Sequence, residues 1–291
     1  MSLIVAGATG AIGRCVVREA LKHGEIARVV ALTRSSSLSD PAALFGLTVA
    51  TGASEASSPD TVTKEQLARL LPVTIDWEEF LRFWQNRKPR QAGGTANAST
   101  RLDSSGDAEA AHYKELFGGH KYAAMCLGTT RRDAGSGAAF ERCDYDYVVA
   151  FAEALREYSG PTLVTYAQVS AQFANKNSWL LYSKVKGRAD AAVEALRFPR
   201  LSLYRPGLLD RGPKTRLNEK IAKWFFAGMP VETCGRAIVS DFLHSSDEAS
   251  LRSRQCAGKR SSAMALDKKE SDAEVFIFAN DSIKKEATYL K

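Results

Sequence analysis

Seven residues near the start of the chain constrain the fold most. Gly7-Ala8-Thr9-Gly10-Ala11-Ile12-Gly13 follows a short, fully apolar run, Leu3-Ile4-Val5-Ala6. It precedes a stretch in which Ile12, Val16, Val17, Ala20 and Leu21 recur at helical spacing, up to Gly24. The apolar run has the composition of a central parallel strand buried on both faces. Val29 to Leu32 supplies the next strand. A strand, a helix and a second strand within about 30 residues make a βαβ unit, on which dinucleotide sites are built. In that setting Gly7 permits the tight turn, Gly10 lets backbone approach a pyrophosphate, and Gly13 lets helix and strand pack closely. The helix N-terminus then offers N–H groups and partial positive charge to phosphates. The spacing is GxxGxxG, so Thr9, Ala11 and Ile12 complete the candidate loop.

Arg34 ends the second strand and is followed by Ser35, Ser36 and Ser37. An acid there would bind the ribose 2′-hydroxyl of NAD; an arginine suits the 2′-phosphate of NADP(H). Asp76, after an expected third strand at Val73-Thr74-Ile75, stands where either an adenine contact or a loop cap fits. Gly128-Thr129-Thr130 follows the fourth strand, Tyr122 to Leu127, and can approach the cofactor ribose. Arg131 is a cation for phosphate or substrate, or part of a plain turn.

Helical faces at Trp77–Trp84, Val148–Leu155 and Val185–Leu196 alternate with strands at Thr162–Tyr166, Leu201–Tyr204 and Val275–Phe278. That alternation predicts a single α/β domain over residues 1–291, a doubly wound parallel sheet of the Rossmann type. Segments 35–63, 85–110 and 245–271 are polar and weakly patterned, and are expected to be flexible insertions.

The Lys and Arg residues behind the net charge of +7 are scattered among acids, which points away from nucleic acid. Five cysteines without a CxxC suit free thiols in a reducing, cytoplasmic setting. The four histidines show no metal-ligand spacing. No apolar stretch approaches the ~20 residues of a membrane span.

Tyr182 and Lys186 lie four residues apart, on one helix face. A fixed ammonium favours the phenolate of a neighbouring tyrosine, which can then exchange a proton with a substrate oxygen. The glycine loop, Cys126–Arg131, Asp144–Val148, Tyr182–Gly187 and Arg205-Pro206-Gly207 occur in this order along the chain. Together they resemble the short-chain dehydrogenase/reductase superfamily, in its atypical branch, nearest the Tat-interacting oxidoreductase-like family of NADPH-binding proteins. The resemblance implies NADP(H) as cofactor, Tyr182 as catalytic acid/base and Lys186 as ribose anchor. Pro206 falls in the segment that would wrap the nicotinamide. The superfamily's catalytic serine has two counterparts here: motif alignment gives Gln168, distance from Tyr182 gives Ser170. The implied activity is NADPH-dependent oxidoreduction of a small-molecule carbonyl or hydroxyl group. The rival is a cofactor-binding regulatory protein with a protein partner.

Overall fold

The computed structural model describes residues 1–50, 60–87, 104–210, 228–258 and 273–290. Seven parallel strands form one sheet: β1 (Ser2–Ala6), β2 (Arg28–Thr33), β5 (Leu70–Thr74), β6 (Tyr122–Met125), β7 (Thr165–Val169), β8 (Arg200–Tyr204) and β11 (Glu274–Phe278). Their order across the sheet is β11-β8-β7-β6-β1-β2-β5; the two-residue strands β9 (Leu209–Asp210) and β10 (Met229–Pro230) pair with each other apart from it. The chain builds outward from β1 through β2 to β5, then returns to lay β6 on the other side of β1. Between β1 and β6 the winding reverses, which is where α/β sheets hold ligands.

Alternation along β1 divides the core. Leu3 and Val5 join the cluster under α1 (Ala11–Lys22), α10 (Val231–Gly258) and α11 (Asn280–Ala287). Ile4 and Ala6 join the opposite cluster, under α4 (Trp77–Arg87), α5 (Ser104–Phe117), α8 (Tyr147–Tyr158) and α9 (Leu181–Glu194). A strand covered on both faces has no polar side, hence its uniform apolarity. Burying each of Val16, Val17 and Leu21 of α1 contributes roughly 1.5–3 kcal/mol before entropy is counted. The α1–α10 crossing is close, because a Cβ at Gly235 would sit 2.5 Å from Cys15 Cβ.

The expected parallel α/β sheet is therefore present, with three local corrections. The expected strand at Thr162–Tyr166 forms three residues later, because Gly160–Thr162 makes a 3-10 turn around Pro161. The third outer strand starts earlier than expected, at Leu70, and tolerates Pro72 because β5 is at the sheet edge.

The largest correction concerns 35–63. Within it, α2 (Pro41–Phe45) is capped by Asp40, whose Oδ1 accepts the Ala43 N–H at 2.9 Å. Then β3 (Thr48–Val49) pairs in parallel with β4 (Thr61–Val62). Phe45, Leu47 and Val62 are buried in the α1-side core, so the described part of this segment is packed, not irregular. The elements were invisible to periodicity because each buries one or two side chains. Their end signals were legible: Asp-Pro before and Gly46 after α2, and a Thr63/Gln66 capping box opening α3 (Lys64–Leu67).

In 85–110, α4 continues to Arg87 and α5 starts at Ser104; 88–103 lie outside the described residues. In 245–271, α10 continues through Gly258, and 259–271 lie outside the described residues. The packed half of α10, with Cys234, Ala237, Ile238 and Phe242 buried, carries a helix whose later residues show no apolar period. Among the described residues no helix is long and apolar enough to cross a membrane.

Candidate functional site

A cavity of about 1000 Å³ opens at the carboxyl ends of β1, β2 and β6. Its floor is the loop after β1. Gly7 adopts φ +72°, and a Cβ there would lie 2.6 Å from the Cys126 carbonyl. The Gly10 N–H donates to the Gly7 carbonyl at 2.9 Å, closing the turn. A Cβ at Gly13 would meet the Gly7 carbonyl oxygen at 2.1 Å, so no side chain fits between α1 and the loop. Gly10 differs: its nearest obstacle to a Cβ is 3.1 Å away, and the residue lines the cavity with Gly7 and Thr9. Gly10 is also the N-cap of α1, makes no side-chain cap, and is followed by no acid in the first turn. The helix therefore presents an uncapped positive end to the cavity. Ala11 and Ile12 occupy that first turn, with Ile12 buried in the core.

Arg34 lines the cavity with Leu32 and Thr33, and its side chain is exposed. Asp76 caps α4: its Oδ1 accepts the N–H groups of Glu78 and Glu79 at 2.9 and 3.0 Å. Of the two uses open to Asp76 in the sequence, this geometry is the cap. The next residues, Trp77 and Glu78, reach the cavity. Trp77 stacks on Tyr147, with ring centroids 5.6 Å apart. Glu78 takes two hydrogen bonds from Arg142, at 3.1 and 3.2 Å, and one from the Tyr147 hydroxyl. The Tyr147 hydrogen bond, aided by Arg142, holds the Glu78 carboxyl below its ordinary pKa. Tyr147 falls in the Asp144–Val148 motif, but no signal in the sequence pointed to Trp77, Glu78 and Arg142 as its partners, because the four meet only when α4 docks on the helix opposite.

Gly128 and Thr129 line the cavity beyond β6. Thr130 instead caps α6 (Arg131–Ala134), its Oγ1 accepting the Asp133 N–H at 3.2 Å. Two thiols also line the cavity, Cys126 and Cys143. Burial pushes the Cys143 thiol up to about 11 and raises Cys126 further, so both stay protonated at neutral pH. The four cysteines whose side chains are described are free.

From α7 (Gly137–Glu141) the chain passes through a π-helical turn, Arg142–Asp146, into α8. Asp144, in this turn, is completely buried. Its Oδ2 accepts the Thr129 N–H at 2.9 Å, and its Oδ1 lies 2.8 Å from Lys186 Nζ. Lys186 is 6% exposed. Burial alone would lower the lysine pKa, but the Asp144 carboxylate, together with Tyr182 and Asp190, more than offsets it and holds the ammonium above its ordinary value. A Cβ on Gly128 would stand 3.5 Å from Lys186 Nζ, so the pair lies directly behind the cavity wall at Gly128.

Tyr182 begins the same helix, 47% exposed and stacked on Phe140 with centroids 5.7 Å apart. It is not among the residues lining the cavity. Gly187, one turn on, has no side chain because the backbone of Asn175 and Lys176 rests on it; a Cβ would be 2.2 Å from both. Ser170 and Gln168 both turn to Asp190: Ser170 Oγ donates to Oδ2 at 2.9 Å and Gln168 Nε2 to Oδ1 at 2.8 Å. Arg205 donates to the same Oδ2 from Nε and Nη2. Ser170 and Gln168 are buried and neither lines the cavity. Pro206 is buried and its carbonyl accepts the Gln172 N–H at 3.1 Å.

The parallel sheet, the glycine turn and the cavity at the reversal point define a Rossmann-type α/β protein. No protein-family model matches the chain. Among curated proteins it is similar to Protein HTATIP2 of Rattus norvegicus, 43% identical over 120 residues, covering 40% of this chain and 48% of that protein. It is also similar to Protein FMP52, mitochondrial, of Debaryomyces hansenii, 39% identical over 101 residues, covering 34% of this chain and 43% of that protein. The chain thus spans less than half the length of these relatives. The resemblance read from the motifs is borne out by them.

Solved structures share the fold. The UDP-glucuronic acid 4-epimerase of Bacillus cereus in complex with NAD gives a TM-score of 0.51 at 12% identity, covering 96% of this chain and 77% of that one. The PhqB reductase domain of Penicillium fellutanum gives 0.53 at 15%, covering 84% and 64%.

Proposed function

We infer that the protein is an NADPH-dependent oxidoreductase of the short-chain dehydrogenase/reductase type, acting on a carbonyl or hydroxyl group. The observation that carries the reading is the uncapped α1 N-terminus, opened by Gly10 onto a cavity that Arg34 also lines. That is a cradle with space for a pyrophosphate and a cation for a further phosphate. The backbone of Gly7, Thr9 and Gly10, with the first turn at Ala11, Ile12 and Gly13, would hold the pyrophosphate. Gly128, Thr129, Thr130 and Lys186 would hold the ribose, and Pro206 the nicotinamide end. When bound, the nicotinamide supplies the hydride chemistry. Tyr182 passes its hydroxyl proton to the substrate oxygen, or receives it in the reverse direction.

A second reading, a cofactor-binding regulatory protein with little turnover, is favoured by two observations. The Ser170 hydroxyl is committed to Asp190, and Tyr182 packs on Phe140 outside the cavity wall. A cytoplasmic location belongs to our proposal. The fungal relatives carry "mitochondrial" in their names, and cell fractionation decides between the two.

The cofactor assignment predicts that NADPH binds more tightly than NADH, and that Arg34→Ala removes the difference. A hydrogen bond between charged groups contributes about 1.5–3 kcal/mol, and the exposure of Arg34 places it at the lower end, roughly tenfold in affinity. Titration of both nucleotides into wild type and variant is the check. Equal wild-type affinities would remove the basis for NADP(H).

A further inference from the structure

Lys186 stands behind the cavity wall, and its position there is set by another residue. Three observations meet at Asp144. The residue has no solvent exposure, one oxygen accepts the Thr129 N–H, and the other lies 2.8 Å from Lys186 Nζ. The turn that carries it is π-helical: the Tyr147 N–H bonds to the Arg142 carbonyl, five residues back. One extra residue in a helical turn changes which face the preceding side chains occupy, and such turns concentrate at functional sites. Here Cys143, Asp146 and Tyr147 line the cavity, while Asp144 is directed beneath it.

We propose that Asp144 is a positioning residue of the cofactor site: its carboxylate holds the Lys186 ammonium behind Gly128 and the Thr129 backbone beside it. This rests on the reading that Lys186 anchors the cofactor ribose. An ammonium has three N–H donors, so one can serve Asp144 while others serve a ribose hydroxyl through the gap that Gly128 leaves. The same carboxylate ties the Tyr182–Lys186 helix to the loop after β6, so the parts of the site contributed by two elements keep one geometry.

Among the described residues, the groups facing Lys186 come from three elements. Asp144 and Cys143 come from the π-helical turn, Cys126 from the end of β6, and Tyr182 and Asp190 from α9 itself. Asp144 is the buried carboxylate in ion-pair contact with the ammonium. Without it, a lysine this buried loses its proton at lower pH, because burial disfavours the charged form.

The experiment is NADPH binding to the full chain, followed by nicotinamide fluorescence from pH 7 to 9.5. Wild type, Asp144→Asn, Lys186→Met and the double variant are compared. Wild-type affinity is expected to be flat over this range. Asp144→Asn is expected to weaken as pH rises, approaching tenfold per pH unit above the lowered lysine pKa, down to the level of Lys186→Met. Lys186→Met is expected to be weak and flat, with Asp144→Asn adding no further loss in that background.

A pH-independent, wild-type affinity in Asp144→Asn alongside a weak Lys186→Met would overturn the positioning role and leave the ribose anchor standing. Wild-type affinity in Lys186→Met would overturn the anchor and the positioning role together. If Asp144→Asn does not fold, the double variant decides, since it leaves no uncompensated buried charge. Further loss relative to Lys186→Met would show that Asp144 acts on its own and sink the proposal; equal affinity supports it.

Discussion

Gly10→Val is expected to abolish binding of NADPH while leaving the fold intact. The added side chain would enter the space in front of the α1 N-terminus, where the pyrophosphate is proposed to sit. Its Cβ would meet the Gly7 carbonyl oxygen at 3.1 Å, a contact that asks the loop for a shift of a few tenths of an ångström. At Gly13 the same addition would be incompatible with the backbone, at 2.1 Å. The contrast makes Gly10 the informative position: loss of binding at Gly13 would follow from a damaged fold. Isothermal titration gives the affinity and thermal unfolding the stability. Unchanged NADPH affinity in a folded Gly10→Val would place the cofactor site elsewhere.

Tyr182→Phe tests the chemistry. It removes one hydroxyl from a half-exposed ring and keeps the ring stacked on Phe140. General acid catalysis contributes roughly 10²–10⁴-fold, so turnover should fall by about that factor with NADPH affinity little changed. NADPH oxidation over a panel of carbonyl compounds measures it. Turnover that is the same in wild type and variant would rule out Tyr182 as the proton donor. A partner-binding function lost in Gly10→Val but kept in Tyr182→Phe would support the regulatory reading, with NADPH acting as a ligand.

The elements built on long periodic runs were legible in the sequence. β1, α1 and β2 stand where the apolar spacing puts them, because a strand and a helix that bury a whole face must write that face into the chain. The glycine loop was legible for the same reason: Gly7 and Gly13 answer backbone contacts that no side chain survives, and Gly10 opens the helix end to the cavity. Short elements were not. Pro41–Phe45 and Lys64–Leu67 bury too few residues for a period to emerge and are marked only by their caps.

The site was legible in outline and illegible in its polar connections. Lys186 could be singled out by its spacing from Tyr182, and Asp144 opens a motif of the resemblance, but their pairing across 42 positions depends on a π-helical turn that the spacing does not announce. Ser170 and Gln168 were the two candidates for one role. The structure gives both to the same carboxylate, Asp190, a side chain that reads as an ordinary mid-helix acid until the sheet brings β7 against α9.

The bare backbone contact at Gly187 has a consequence for how this protein can change over time. Asn175 and Lys176 lie directly on that helical turn, and the Asn175 N–H bonds to the Ser183 carbonyl of the same helix. The segment that bears the exposed Phe173 and Trp179 is thereby keyed to the helix of Tyr182 and Lys186. Residues at its rim can be exchanged without disturbing that seat. Any larger residue at 187 would unseat the segment altogether. Substitution is therefore open at exposed positions such as 173 and 179, and closed at 187.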